Sequence, residues 1–207
     1  FGNPFYHIIR HGIYLLLGTG ALVLTLQVPV KLWEHAGPAL LVAGMAILAL
    51  LLVPGIGREV NGATRWIGFG PVNLQPSELM KLFFVVYLAG YMTRRQRELQ
   101  NSWSGMLKPL GLLGAVVLLL LLEPDFGAAV VIAGAAMAML FLGGARLLPF
   151  IVLMAFAVVG AGVMAVWSPY RLQRLITFLD PWSDQFASGY QLTQALIAFG
   201  RGEVLGV

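Results

Sequence analysis

From Leu107 to Leu142 the chain is almost wholly apolar, and the break in its middle is Glu123-Pro124-Asp125. As a single helix this stretch would be about 54 Å long at about 1.5 Å per residue, far more than the roughly 30 Å hydrocarbon core of a bilayer. A proline between two carboxylates is also costly to bury in lipid. The stretch therefore reads as two antiparallel helices, 107–122 and 126–142, joined by a tight turn at a membrane edge. Apolar runs over 11–28, 37–54, 77–92 and 147–167 read as further spans, of which 77–92 is short and carries Glu78 and Lys81.

Composition agrees. The chain is 59% hydrophobic and 11% charged, against roughly 45–50% apolar and about 25% charged in an ordinary soluble domain. That excludes a disordered chain, a nucleic-acid-binding domain and an ordinary cytoplasmic enzyme, even though the net charge is +4. Cysteine is absent, so disulfides and thiolate metal sites are unavailable. The expected fold is all-α, a polytopic transmembrane helical bundle. One integral membrane domain covers 1–207, with a large loop at 168–203. The chain opens on Phe1 and stops at Val207 in a Gly-rich stretch, and it reads as a fragment of something longer.

Orientation follows from basic residues in short loops. The loop 93–108 holds Arg94, Arg95, Arg97 and Lys108 against Glu98 alone, so it is placed on the cytoplasmic side. Alternation puts 29–36 and 143–146 on that side too, and 55–76, 123–125 and everything after Trp167 outside. Arg10, Arg58, Arg65, Arg171 and Arg174 then fall on the outer side, where the rule disfavours them. Something anionic is expected to be handled there. Within the spans, Gly111 with Ala115 and Gly134 with Ala138 are spaced to let helices approach closely.

Three outer clusters carry ionisable groups at the membrane rim, each of which asks for a partner or a function. The first is Arg65-Trp66 with Gln75-Pro76-Ser77-Glu78-Leu79-Met80-Lys81. Pro76 and Ser77 are good helix-start residues, and Ser77 is a candidate cap. Glu78 and Lys81 share a helix face, either as an ion pair that orients the helix or as the polar wall of an outward-open cavity; the two are compatible. The second, Glu123-Pro124-Asp125-Phe126-Gly127, reads first as a solvated turn, with Asp125 favoured by the dipole of the following helix. The third is 168–203, with Arg171, Arg174, Asp180, Asp184 and Gln194. Its Leu192, Leu196 and Phe199 make an amphipathic pattern suited to a membrane interface. Its arginines and carboxylates could bind a diphosphate and supply a base, or be ordinary loop charges. His7 and His11 stand at ligand spacing with no third ligand in view, so interfacial placement is their default.

Taken together, Asn61-Gly62-Ala63-Thr64-Arg65-Trp66-Ile67, Gln75 through Lys81, Glu123 through Gly127, and the segment 168–202 resemble, in order, motifs of the SEDS family (shape, elongation, division and sporulation). Leu192 through Arg201 is similar to the division branch rather than the elongation branch. The resemblance implies a ten-span peptidoglycan glycosyltransferase of the bacterial inner membrane, polymerising lipid II at the periplasmic face during septal wall synthesis. This chain would lack the first span and the last three. It also implies Asp184 at the position of the family's catalytic aspartate. The partners implied are a class B penicillin-binding protein (FtsI) and other division membrane proteins such as the FtsQ, FtsL, FtsB complex, besides membrane lipid, with no nucleic acid. Departures are Gln185 after Asp184, Ala187 in place of a glycine, and Ala128 where the motif at 124–127 is usually followed by threonine.

On this reading Asp184 is a general base, and Arg65, Lys81, Arg171 and Arg174 are candidates to hold the departing diphosphate. Glu78 keeps Lys81 charged and aimed. Asp125 and Gln194 complete the set of substrate-binding candidates. The sequence assigns no definite cofactor; a divalent cation, Mg or Mn, bridging Asp184 and the diphosphate is an option for which it offers no ligand cage. Two other functions fit the same residues: a lipid II flippase and a division scaffold that recruits a transpeptidase.

Overall fold

The computed structural model describes residues 5–60, 63–69, 72–167, 176–186 and 189–202. Seven helices come first: α1 (Tyr6–Gln27), α2 (Val30–Leu51), α3 (Pro76–Arg94), α4 (Gln96–Asn101), α5 (Trp103–Leu122), α6 (Phe126–Leu142) and α7 (Leu147–Val166). A 3-10 turn at Pro181–Asp184 and a final helix, α8 (Tyr190–Gly202), follow. Three short strands, β1 (Arg58–Val60), β2 (Ala63–Phe69) and β3 (Val72–Leu74), lie between α2 and α3. The chain divides into two compact units, Phe1–Phe150 and Ile151–Val207, with the boundary inside α7.

In the first unit, α2, α3, α5 and α6 pack through apolar stripes at helical spacing. On α2 the buried positions are Gly37, Leu41, Gly44, Leu48 and Leu51. They recur at i, i+4, i+7, i+11 and i+14, so one narrow face meets a neighbour. That neighbour is α3. A Cβ at Gly37 would lie 3.1 Å from the backbone Cα of Tyr87, and one at Gly44 would lie 2.6 Å from Sδ of Met80. Leu48, Met80, Phe84, Leu88, Val116, Leu120, Ile132 and Leu140 fill the interior. By contrast α1 is exposed at nearly every described side chain, as a helix solvated by lipid tails would be. Of the described helices, α1 from Ile8, α2 and α5 are long and apolar enough to cross a bilayer, and α6 and the first part of α7 are shorter apolar helices.

Several sequence expectations change. The helix expected from 37 begins at Val30, with Pro29 at its N-cap. Its first turns keep Lys31, Glu34 and His35, and Glu34 lies 3.6 Å from Arg94. The loop 93–108 contains α4, and there Glu98 pairs with Arg95 and, at 3.4 Å, with Lys108. The Arg95 hydrogen bond, aided by Lys108, holds the Glu98 carboxyl below its ordinary value. Gly111 and Gly134 have open space where a Cβ would stand, so the close approaches use Gly37 and Gly44 instead.

The segment between α2 and α3 is the larger surprise. It is an antiparallel sheet of order β1-β2-β3, with Arg58 opposite Trp66 and Ile67 opposite Leu74. The sheet contacts the start of α3 and brings Arg65 over the turn between α5 and α6.

Candidate active site

The break between α5 and α6 is where the first unit concentrates its polar chemistry. Glu123 caps the C-terminus of α5, and Asp125 caps the N-terminus of α6 by accepting from the Ala128 amide at 3.3 Å. Neither carboxyl is solvated as an ordinary turn would have it. Glu123 is 1% exposed and Asp125 5% exposed.

Asp125 is held from a second direction. Its Oδ2 accepts from the Ser77 hydroxyl at 2.8 Å and from Nε2 of Gln75 at 3.1 Å. Pro76 starts α3 at its first position, where the missing N–H costs nothing. Ser77 therefore sits inside the helix, and its hydroxyl serves Asp125 instead of capping α3. Arg65, on β2, donates through Nε to the Glu123 carbonyl at 3.3 Å and through a terminal nitrogen to the Pro124 carbonyl. Three sequence motifs, the last of them 48 residues from Ser77 at Asp125, thus meet in one buried hub.

Within that hub Glu123 is the unusual member. Its Oε1 has no hydrogen-bond partner among the described residues. Burial pushes its carboxyl up to about 7, the Asp125 charge pushes the same way, and the Arg65 guanidinium opposes both. A carboxyl so placed gains and loses its proton near neutral pH, well above the usual carboxylate range.

One turn further along α3, Lys81 lies 2.8 Å from both carboxylate oxygens of Glu78. Glu78 is exposed and Lys81 half-buried. An ion pair this exposed contributes little to stability.

In the second unit Asp184 closes the 3-10 turn Pro181–Asp184 and is half-buried. Its carbonyl accepts from the Gly189 amide at 2.9 Å, which ties the turn to the start of α8. Gln194 lies on α8 with its side chain exposed. Arg171 and Arg174 lie outside the described residues. Sequence reading passed over Gln75, Ser77 and Glu123 as a group with Asp125. The available signal was that polar residues recur in each of these motifs, but nothing local says which of them pair.

A bundle of long apolar helices with buried polar caps at one end defines a polytopic helical membrane protein. The family model FtsW/RodA/SpoVE, described as cell cycle protein, matches residues 1–207. The chain belongs to that family. It is 56% identical over 206 residues to a probable peptidoglycan glycosyltransferase FtsW of Pseudomonas fluorescens (strain SBW25), covering 100% of this chain and 51% of the relative. A second protein of that name, from Allochromatium vinosum, is 54% identical over 207 residues, covering 99% of this chain and 51% of the relative. The chain spans about half the length of the curated relatives it matches. Among solved structures it is similar to a chain of a peptidoglycan synthase complex that coordinates polymerization and crosslinking, with TM-score 0.70, 33% identity, and coverage of 95% of this chain and 57% of that one. The rod shape determining protein RodA of Thermus thermophilus gives TM-score 0.62 at 34% identity, covering 76% of this chain and 51% of that one.

Proposed function

We propose that this chain is part of a peptidoglycan glycosyltransferase that polymerises lipid II at the outer face of the bacterial inner membrane, at the division septum. The observation that carries the reading is the 56% identity, across this whole chain, to a relative named as such an enzyme. The geometry adds a half-buried carboxylate, Asp184, on a turn fixed to α8.

In the reaction a sugar hydroxyl of one lipid-linked molecule attacks the anomeric carbon of another. A new glycosidic C–O bond forms, the C–O bond to the diphosphate breaks, and undecaprenyl diphosphate leaves with its electron pair. Inversion at the anomeric carbon follows from direct displacement. The hydroxyl is a weak nucleophile at neutral pH, so Asp184 takes its proton as the bond forms. The leaving diphosphate is stabilised by cations that bind it more tightly in the transition state than in the ground state. Lys81, Arg171 and Arg174 take that role. Arg65 is engaged with the carbonyls of Glu123 and Pro124, so its part is to hold the turn beneath them. Among the described residues no three His, Cys, Asp or Glu side chains gather as a protein cage for a metal needs. If a Mg or Mn ion accompanied the diphosphate, Asp184 is the carboxylate that would help hold it, and the ion would supply positive charge to the leaving group.

The partners proposed are a class B penicillin-binding protein and the division proteins that accompany it. The similarity to a chain of a synthase complex supports a crosslinking partner.

The test is polymerisation of purified lipid II by the full-length protein in detergent, where there is no membrane to cross. Wild type should make glycan strands, and Asp184→Asn should make none while still inserting and binding its partner. Full activity of that variant would remove Asp184 from the base role. No strands from wild type, combined with head-group translocation in liposomes, would favour a transporter.

A further inference from the structure

The second unit carries a seat for the Asp184 turn. Gly189 is buried and its amide donates to the Asp184 carbonyl at 2.9 Å. A Cβ at Gly189 would stand 2.8 Å from that same carbonyl oxygen and closer still to the carbonyl oxygen of Pro181. Only a residue without a side chain lets α8 approach the turn at both ends. One helical turn on, Thr193 is 1% exposed, although α8 otherwise presents most of its residues to the surroundings.

The Thr193 hydroxyl lies 2.9 Å from the Gly189 carbonyl, 3.1 Å from that of Tyr190 and 3.4 Å from that of Gln185. The first two are the local bonds a helical threonine makes. The third crosses to the residue that follows Asp184. A buried hydroxyl with a single proton, placed among three carbonyls, joins the first turn of α8 to the backbone on which the aspartate stands.

We propose that Gly189 and Thr193 are positioning residues for the glycosyl-transfer step: they fix the backbone at 181–185 so that the Asp184 carboxylate meets the attacking hydroxyl. This deepens the base role given to Asp184 and rests on it. The effect belongs on turnover, because a base displaced by a fraction of an ångström still lets lipid II bind but no longer meets the hydroxyl in reacting geometry.

The experiment uses full-length protein and purified lipid II, with Thr193→Val, Thr193→Ser, Gly189→Ala and Asp184→Asn measured together. Thr193→Val keeps the shape and removes the hydroxyl; kcat should fall about ten- to a hundredfold with KM close to wild type. Thr193→Ser restores the hydroxyl and should restore kcat. Gly189→Ala should behave as Thr193→Val or worse, and thermal unfolding in detergent reports whether the variant is folded. If Thr193→Val keeps wild-type kcat while Asp184→Asn is inactive, the positioning role is overturned and the base role stands. A folded Thr193→Val whose KM rises at unchanged kcat also overturns it. If Asp184→Asn itself polymerises lipid II, the base role fails first and the positioning role fails with it.

Discussion

The Ser77 hydroxyl donates to Oδ2 of Asp125 at 2.8 Å, although the two residues lie 48 positions apart in the chain. One is at the start of α3 and the other at the start of α6, and the bond is buried. Removing a partner therefore leaves a polar group in the interior without its match. Ser77→Ala should lower stability by about 1–3 kcal/mol. Asp125→Ala should lower it further, since Gln75, Ser77 and the Ala128 amide all lose an acceptor. Thermal unfolding in detergent checks both, and the double variant should cost less than the sum of the two single changes. Strict additivity would mean that the bond contributes nothing.

Arg65 gives a separate prediction, because its guanidinium reaches two successive carbonyls. Arg65→Lys keeps the charge and loses the fork, so it should destabilise the protein by about 1–2 kcal/mol. Unchanged unfolding with reduced polymerisation would instead assign Arg65 to the diphosphate.

Glu123 makes stability depend on pH in a stated direction. Its folded value, about 7, lies above the ordinary 4.5, so between those limits the folded protein keeps a proton that the unfolded chain has released. Stability from this group is complete below the lower limit and declines as pH rises toward the upper one. The decline is up to about 1.4 kcal/mol per pH unit. Glu123→Gln should flatten unfolding curves taken between about pH 5 and pH 8 and exceed wild type at the alkaline end. Parallel curves for the two proteins would contradict the assignment.

Helix approach is testable by contrast. Gly37→Val places atoms against the backbone of Tyr87, and overpacking of that kind costs about 1–3 kcal/mol. Gly134→Ala meets open space and should be neutral within about 0.5 kcal/mol. Equal effects would mean that the α2–α3 contact is looser than described.

The helices were legible because a continuous apolar run of membrane-crossing length is a local signal. Glu123-Pro124-Asp125 also announced the break between α5 and α6 correctly, since length and proline chemistry demand one there. What that turn touches was not legible. Its burial depends on β2 and the start of α3 folding over it, and no window around Glu123 contains those partners. The sheet was missed for a related reason: β1 and β3 are too short to display an alternation. Glycine spacing alone does not identify a contact: Gly111 and Gly134 have the pattern but meet open space among the described residues, whereas Gly37 and Gly44 stand against α3. For Asp184 the resemblance singled out the residue, while the support from Gly189 and Thr193 is visible only once α8 is folded back onto the turn.

The separation of Ser77 and Asp125 also bears on biogenesis. While a ribosome threads this chain into the bilayer, α3 emerges long before the hairpin of α5 and α6. Gln75, Ser77 and Arg65 have no acceptor until that hairpin is inserted. The hub therefore closes only after both halves of that hairpin are in place, so the order of synthesis separates the making of its donors from the arrival of their acceptors.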